Sequence, residues 1–359
     1  MHVRPAPHLS AIASYPLASL ASGTGRRPVS LAQNESPCEP APSARAAASE
    51  ALASSALYPD PDCTALRTSI AAVHGLDPQS ILCGSGSMEL ISAISRAYLA
   101  PGDRALTSAY GYFYFRTAAL LIGAAVDLAP EKDLTVDVAA MVAALKPRTR
   151  VAFVANPGNP TGTRIGRREL IKLRDQLPQD VLLVIDEAYG EFVEIAGERS
   201  WDLVDRGNTV VLRSFSKAYG LAGLRAGWGL FPPAIAGEVR KALLPNNIST
   251  PSQAAAEAAI RDQTWMRATV ATITARRDRF AARMRRAGIR SRPSWTNFVL
   301  LEFPSAKAAA EADAKLRAEG IALRALLAYG LDRYLRATIG TEEDMTLTAE
   351  VLETSVAKV

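Results

Sequence analysis

The chain has 359 residues, 48% of them hydrophobic and 21% charged, with a formal net charge of +5. That length accommodates a large domain plus a smaller one, and the composition is that of an ordinary globular protein. No basic block is long enough to track a nucleic-acid backbone, and no stretch holds the ~18 unbroken apolar residues of a membrane span, so the expected partners are small, mildly anionic molecules.

Residues 1–40 are rich in Pro, Ser and Ala and read as an N-terminal arm with little regular structure. Prolines and serines interrupt any apolar signal core there, so the expected location is the cytoplasm. A helix is predicted over Pro42–Leu57, then the turn Tyr58-Pro59-Asp60-Pro61-Asp62 and a helix to His74. Ile81–Cys83 reads as a strand, and Gly84-Ser85-Gly86-Ser87 opens a helix over Met88–Leu99. Strands near Arg104–Thr107, Ala124–Leu128, Val151–Ala155, Val181–Ile185 and Thr209–Leu212 alternate with helices. Arg225–Phe231 can pair beside the last of them, its two glycines allowing close approach. Apolar strands in βα alternation predict an α/β fold with a mostly parallel sheet covered on both faces.

Pro245-Asn246-Asn247 marks a break, after which the texture changes. A long Ala/Arg-rich helix over Pro251–Ala287 leads to strands at Phe298–Phe303, Ile321–Arg324 and Tyr334–Ile339, with helices over Ser305–Glu319 and at the end. The expected division is an arm over 1–40, a large domain over 41–244 and a smaller α+β domain over 245–359.

Cys38, Cys63 and Cys83 form no CxxC pair, and His2, His8 and His74 supply neither a zinc site nor a Ser-His-Asp triad. The informative chemistry lies in Ser214-Phe215-Ser216-Lys217 and the Arg225 that follows. Eight lysines stand against thirty-three arginines, so a lysine among hydroxyls and glycines after an apolar strand is not a routine surface charge. Desolvation and a neighbouring cation lower an ammonium pKa, and only the neutral amine attacks a carbonyl to form an imine.

Val181–Ile185 ends in Asp186-Glu187-Ala188-Tyr189, and ligands of open α/β sheets lie beyond the carboxyl ends of strands. A nucleotide-hydrolase metal carboxylate would need a phosphate loop ending in Gly-Lys, which is absent; a helix-capping role for Asp186 is the simpler structural alternative. A carboxylate facing a ring nitrogen and a lysine imine on the same ring are what pyridoxal phosphate asks of a protein. Asn159, in Asn156-Pro157-Gly158-Asn159-Pro160-Thr161-Gly162, also follows a buried strand and could donate to a phenolic oxygen, as could Tyr189. Ser85-Gly86-Ser87 at a helix start offers backbone N–H groups to a phosphate. Alone it is an ordinary turn; with Ser214, Ser216 and Arg225 it makes a phosphate cup.

Asn159-Pro160-Thr161-Gly162, Asp186-Glu187-Ala188-Tyr189, Ser214-Phe215-Ser216-Lys217 and Gly223-Leu224-Arg225 resemble, in order and spacing, the motifs of fold-type I pyridoxal-phosphate aminotransferases of class I/II. Asn34-Glu35-Ser36-Pro37, Leu57-Tyr58-Pro59-Asp60, Arg324 and Leu335-Arg336-Ala337-Thr338-Ile339-Gly340 are similar to signatures of the histidinol-phosphate aminotransferase branch. The resemblance covers nearly the whole chain and implies a large domain with a mostly parallel seven-stranded sheet plus the smaller domain.

It further implies that Lys217 forms the imine with the cofactor and shuttles the proton. Asp186 would hold the pyridinium nitrogen charged; Asn159 and Tyr189 would bind the phenolic oxygen. Ser85, Gly86, Ser87, Ser214, Ser216 and Arg225 would take the phosphate, joined by Tyr58 of a second copy in a homodimer. Arg336 would clamp an anionic group of the substrate, with Arg324, Tyr15 and Asn34 beside it. Tyr112, rather than Tyr110, is the expected ring-stacking aromatic, by the count back from Gly123. The family's usual acid in the phosphate turn is Met88 here. Glutamate would be the amino donor to a phosphorylated or aromatic keto acceptor, in histidine biosynthesis. An aromatic amino acid aminotransferase and a threonine-phosphate-type decarboxylase are the alternatives.

Overall fold

A computed structural model of the protein describes residues 3–12, 27–194, 197 and 199–356. Its strands, in chain order, begin with Val29–Ser30 (β1), Ile81–Gly84 (β2), Arg104–Ser108 (β3), Ala125–Ala129 (β4), Glu131–Lys132 (β5), Thr135–Val136 (β6) and Thr149–Ala155 (β7). Leu182–Asp186 (β8), Thr209–Ser214 (β9), Gly227–Leu230 (β10), Arg290–Ser291 (β11) and Phe298–Glu302 (β12) follow. Ile321–Ala322 (β13), Arg324–Leu326 (β14) and Leu331–Thr338 (β15) complete the set.

Seven strands form the main sheet in the order β2-β10-β9-β8-β7-β3-β4. Six of them run in one direction, and β10, between β2 and β9, is antiparallel to both. The apolar runs are explained by burial on both faces. Phe153, Val184 and Leu212 pack with Leu90, Ile94 and Val239 on one side, and Val154, Ile185 and Val211 pack with Leu66, Leu170 and Met266 on the other. Because side chains alternate along a strand, a sheet covered on both faces must be apolar at every position. The strand ends meet that requirement no longer, and there the polar residues gather.

A second sheet, antiparallel in the order β11-β12-β15-β14, carries Arg324 and Arg336 as directly paired positions. The helix predicted over Pro42–Leu57 ends at Ala51, with one 3₁₀ turn over Leu52–Ser54 after it. The predicted Pro251–Ala287 helix is two, Thr250–Arg261 and Gln263–Arg286. Asp262 separates them, its carboxylate accepting the Trp265 N–H at 3.0 Å as an N-cap. Ile321–Arg324 likewise divides. β13 pairs with β1 inside the supposedly irregular arm, while β14 joins β15. No described helix is long and apolar enough to cross a membrane.

Candidate active site

A cavity of about 410 Å³ lies beyond the carboxyl ends of β8 and β9 and under the β14–β15 edge of the second sheet. Asp186 is the last residue of β8 and Ser214 the last of β9, so the two strands deliver an acid and a hydroxyl to its floor. Three residues beyond Ser214, Lys217 lines the same cavity. Its Nζ donates to the backbone oxygen of Asn34 at 2.9 Å and, more distantly, of Gln33 at 3.5 Å.

The amine keeps some surface open to the cavity yet is crowded by protein on its other sides. Desolvation, reinforced by Arg336 and opposed by Glu35, lowers its pKa to about 8. Burial pushes the Asp186 carboxyl up to about 7, although it accepts the Ala188 N–H at 3.0 Å and feels the Lys217 charge. A cationic N–H placed against that carboxylate would bring it back down. Amine and acid are each held away from their ordinary state until a ligand stands between them.

Asn34 organises the near wall. It sits at φ +56°, a conformation asparagine tolerates better than most residues. Its amide donates to the Tyr189 hydroxyl at 2.7 Å, and its own N–H goes to Thr338 Oγ1 at 2.9 Å. Thr338 Oγ1 in turn donates to Asn34 Oδ1 at 3.1 Å, and Asn297 donates to the Asn34 carbonyl at 3.0 Å. Burial raises the Tyr189 phenol to about 12, so it remains a hydroxyl that can donate into the cavity.

The anion cup is narrower than the sequence suggests. Ser87, Ser214, Ser216 and Arg225 border the cavity, whereas Ser85 and Gly86 do not. The Ser85 N–H is taken by Glu89 Oε2 at 2.5 Å, and the Gly86 N–H by the Gly84 carbonyl at 2.7 Å. Glu89, itself fixed by Asn247 at 2.7 Å, folds back over the turn and uses the Ser85 donor. Ser87 opens the helix Ser87–Tyr98, where the first N–H groups have no intrahelical partner. Gly86 serves differently from the expectation: a Cβ there would lie 2.5 Å from Arg225 Nη2, so its bareness lets the guanidinium close on the cup. Arg225 is further steadied by the Ala222 carbonyl at 3.1 Å and Ser216 Oγ at 3.4 Å.

Arg336, which also lines the cavity, is buried and donates to Asn159 Oδ1 at 2.6 Å and to the Ala32 carbonyl at 2.7 Å. Arg324 reaches the same carbonyl at 3.2 Å. Tyr112 lines the cavity, while Tyr110 does not border it and packs against the cluster of Leu134, Leu300, Leu326, Leu331 and Tyr334. Tyr58 is 88% exposed and does not border the cavity of its own chain. Tyr15 lies outside the described residues.

The sequence reading missed the apolar roof, Phe113 with Leu326, Leu327 and Tyr329. Tyr329 accepts the Phe113 N–H at 3.1 Å, with the two rings edge to face at 5.9 Å. Tyr329-Gly330 reads as a turn in sequence, and nothing local says which strand ends that turn will cover.

One amine, one acid, the amide of Asn159, the hydroxyl of Tyr189 and a hydroxyl–guanidinium cup fit a flat, phosphorylated aldehyde. The profile described as aminotransferase class I and II matches residues 26–352. The histidinol-phosphate aminotransferase of Rhodopseudomonas palustris strain TIE-1 is 42% identical, covering 97% of each chain. That of Ruegeria pomeroyi is 41% identical over 88% of this chain and 87% of its own. Among solved structures, histidinol-phosphate aminotransferase from Sinorhizobium meliloti in complex with pyridoxal-5'-phosphate superposes with a TM-score of 0.93 at 29% identity, covering 99% of this chain and 98% of that one. The chain therefore belongs to the class I and II aminotransferases and has their fold-type I architecture.

Proposed function

We propose that the protein is a histidinol-phosphate aminotransferase that works with bound pyridoxal phosphate and the glutamate/2-oxoglutarate pair. The observation that carries the chemistry is that Lys217 and Asp186 line one cavity together with the anion cup and Arg336. The substrate assignment rests on relatives of that name, 41–42% identical over most of the chain.

When bound, pyridoxal phosphate supplies an aldehyde and a ring that spreads the charge left when a Cα proton departs. Ser87, Ser214, Ser216 and Arg225 would hold the phosphate. Asp186 would keep the ring nitrogen protonated, Asn159 and Tyr189 would steady the phenolic oxygen, and Tyr112 would pack against the ring. Lys217 would hold the aldehyde end of the group through its Nζ and, as a neutral amine, would take up and return the Cα proton of the substrate. A neutral amine is needed for both acts, which suits a lysine held at about 8. Arg336, with Arg324 and Asn34 beside it, orients an anionic substrate through its planar fork, and the Phe113–Tyr329 roof excludes water.

We further propose a homodimer in which Tyr58, exposed beside Leu52 and Leu57, completes the cup of a second copy. The large domain would span 41–244 and the smaller 245–359, in the cytoplasm. The apolar roof also supports a second reading, an aromatic amino acid aminotransferase. The test is glutamate formation from 2-oxoglutarate with histidinol phosphate, phenylalanine or threonine phosphate. Fastest turnover of histidinol phosphate is expected. Preference for phenylalanine overturns the substrate assignment, and carbon dioxide release without glutamate overturns transamination.

A further inference from the structure

Arg213 immediately precedes Ser214 on β9, and its side chain is almost wholly buried, 1% exposed, outside the cavity described above. Its guanidinium is enclosed by three carboxylates. Nη2 lies 2.8 Å from Glu187 Oε2 and 3.0 Å from Glu194 Oε1, Nη1 lies 3.2 Å from Glu191 Oε1, and Nε donates to Glu187 at 3.0 Å. The Trp201 ring covers it, with Cζ 4.5 Å from the centroid. Gly190 covers another side so closely that a Cβ would lie 2.2 Å from Cζ. Burial alone would lower the arginine pKa, but the three acids outweigh it and raise it above its ordinary value.

Such a cluster is a poor device for stability, since desolvating several charges offsets much of their attraction, and apolar side chains of equal volume often serve as well. Its place in the chain suggests another use. The β8–β9 ladder ends at the pair Asp186↔Leu212, and one more bond follows, from the Glu187 N–H to the Leu212 carbonyl at 2.9 Å. Glu187 and Arg213 are the next residues on each side. Slippage by one residue at a strand end reverses which face every side chain takes, and here it would carry Asp186 or Ser214 out of the cavity. The remaining partners, Gly190, Glu191 and Glu194, belong to the segment that begins with Tyr189.

We propose that Arg213 is a positioning residue: one guanidinium, clasping Glu187, Glu191 and Glu194, keys the Asp186–Tyr189 turn to the Ser214–Lys217 turn. The acid, the phenol and the amine then meet the cofactor in register, although Arg213 touches none of the reacting atoms. A planar fork with five donors can hold three acids from two elements at once, and a lysine ammonium cannot reproduce that geometry.

This inference rests on the reading of the cavity as a pyridoxal-phosphate site. The experiment compares wild-type holoenzyme with Arg213→Met, Arg213→Lys and Glu194→Gln, measuring the absorbance spectrum at saturating pyridoxal phosphate, kcat, KM and Tm. A colourless wild-type protein would sink the underlying reading, before any variant is considered. With a coloured wild type, kcat should fall in Arg213→Met by about a hundredfold, the loss typical of a small misplacement of reacting groups. KM should stay within about twofold, because Arg336 still binds the substrate. The bound-cofactor spectrum should change, and Arg213→Lys should restore only part of both signals. If Arg213→Met does not fold, Glu194→Gln carries the test, with the same changes at smaller size. Variants with lower Tm but the wild-type spectrum and kcat would show a scaffold role only, and overturn the proposal.

Discussion

Arg336 Nη1 donates to Asn159 Oδ1 at 2.6 Å, so a residue of β15 decides which way an amide 177 positions earlier faces. With its oxygen engaged, the NH₂ is the half of this cavity-lining amide that the proposed function would use as a donor. Arg336→Lys keeps the charge and loses the fork. Losing a hydrogen bond to a charged group costs about 1.5–3 kcal/mol, or about ten- to hundredfold in an equilibrium. Steady-state kinetics should show KM for the anionic substrate raised by about that factor and kcat lowered as well, since Asn159 is released. An unchanged kcat would separate Asn159 from Arg336.

Gly86→Ala should weaken cofactor binding without touching any group that contacts the ring. Gly86 has φ +79°, and its added Cβ would displace the Arg225 guanidinium from 2.5 Å. With ψ +164° as well, this backbone lies in a region essentially reserved for glycine and adds about 1–3 kcal/mol of strain for alanine. Titration of cofactor-free protein with pyridoxal phosphate, followed by absorbance, should give a Kd raised by about tenfold or more.

What the sequence made legible was local. Lys217, Asp186 and Asn159 each follow an apolar run, and a strand's carboxyl end is where such a fold places its ligand. The partners that fix these residues are distant in sequence: Asn34 bonds Tyr189 from 155 positions away, and Arg336 bonds Ala32 from 304. No periodicity encodes those pairs. The engagement of the Ser85 N–H escapes the sequence for a related reason. Glu89 is visible one turn on, but its return to the Ser85 N–H depends on Asn247 holding it from another part of the chain. Asp262 was hidden in a helical pattern that continues on both sides of it, and only its cap to Trp265 reveals the break.

Tyr329→Phe removes the acceptor of the Phe113 N–H and leaves the ring contact in place. A neutral hydrogen bond contributes about 0.5–1.5 kcal/mol. KM for a ring-bearing substrate should rise about three- to tenfold, while the cofactor Kd, set at the other end of the cavity, should not move. A change in cofactor affinity would mean that the roof does more than enclose the substrate.

Lys217→Met should make the cofactor-free protein more stable at pH 7, although it abolishes turnover. The amine sits at about 8 when folded, against about 10.4 in an unfolded chain. Between those values the unfolded state holds the proton and the folded state does not, so wild-type stability rises with pH across that window. The advantage of the variant in Tm should therefore be largest below pH 8 and should shrink as pH approaches about 10.4. A gap that stays constant over that range would mean the lysine is not desolvated.

Asp186→Asn tests the acid in the opposite sense. Its carboxyl is held at about 7 when folded, well above the unfolded value of about 3.9, chiefly by burial. The folded state keeps the extra proton between those two values, so the stability it contributes is full below about pH 3.9 and is lost as pH rises through 7. An isosteric amide has no charge to bury, and cofactor-free Asp186→Asn should melt above the wild type at pH 8 and level with it near pH 4. Loaded with pyridoxal phosphate the order reverses in function: without a carboxylate to stabilise a protonated ring nitrogen, kcat should fall by about a hundred- to a thousandfold, the usual size of one lost electrostatic partner. The same burial that destabilises the empty site is what makes the charge effective once the ring nitrogen stands against it, because an ion pair in a desolvated site is screened far less than one in water. A variant that is more stable yet equally active would break that connection and leave Asp186 with no role beyond ending its strand.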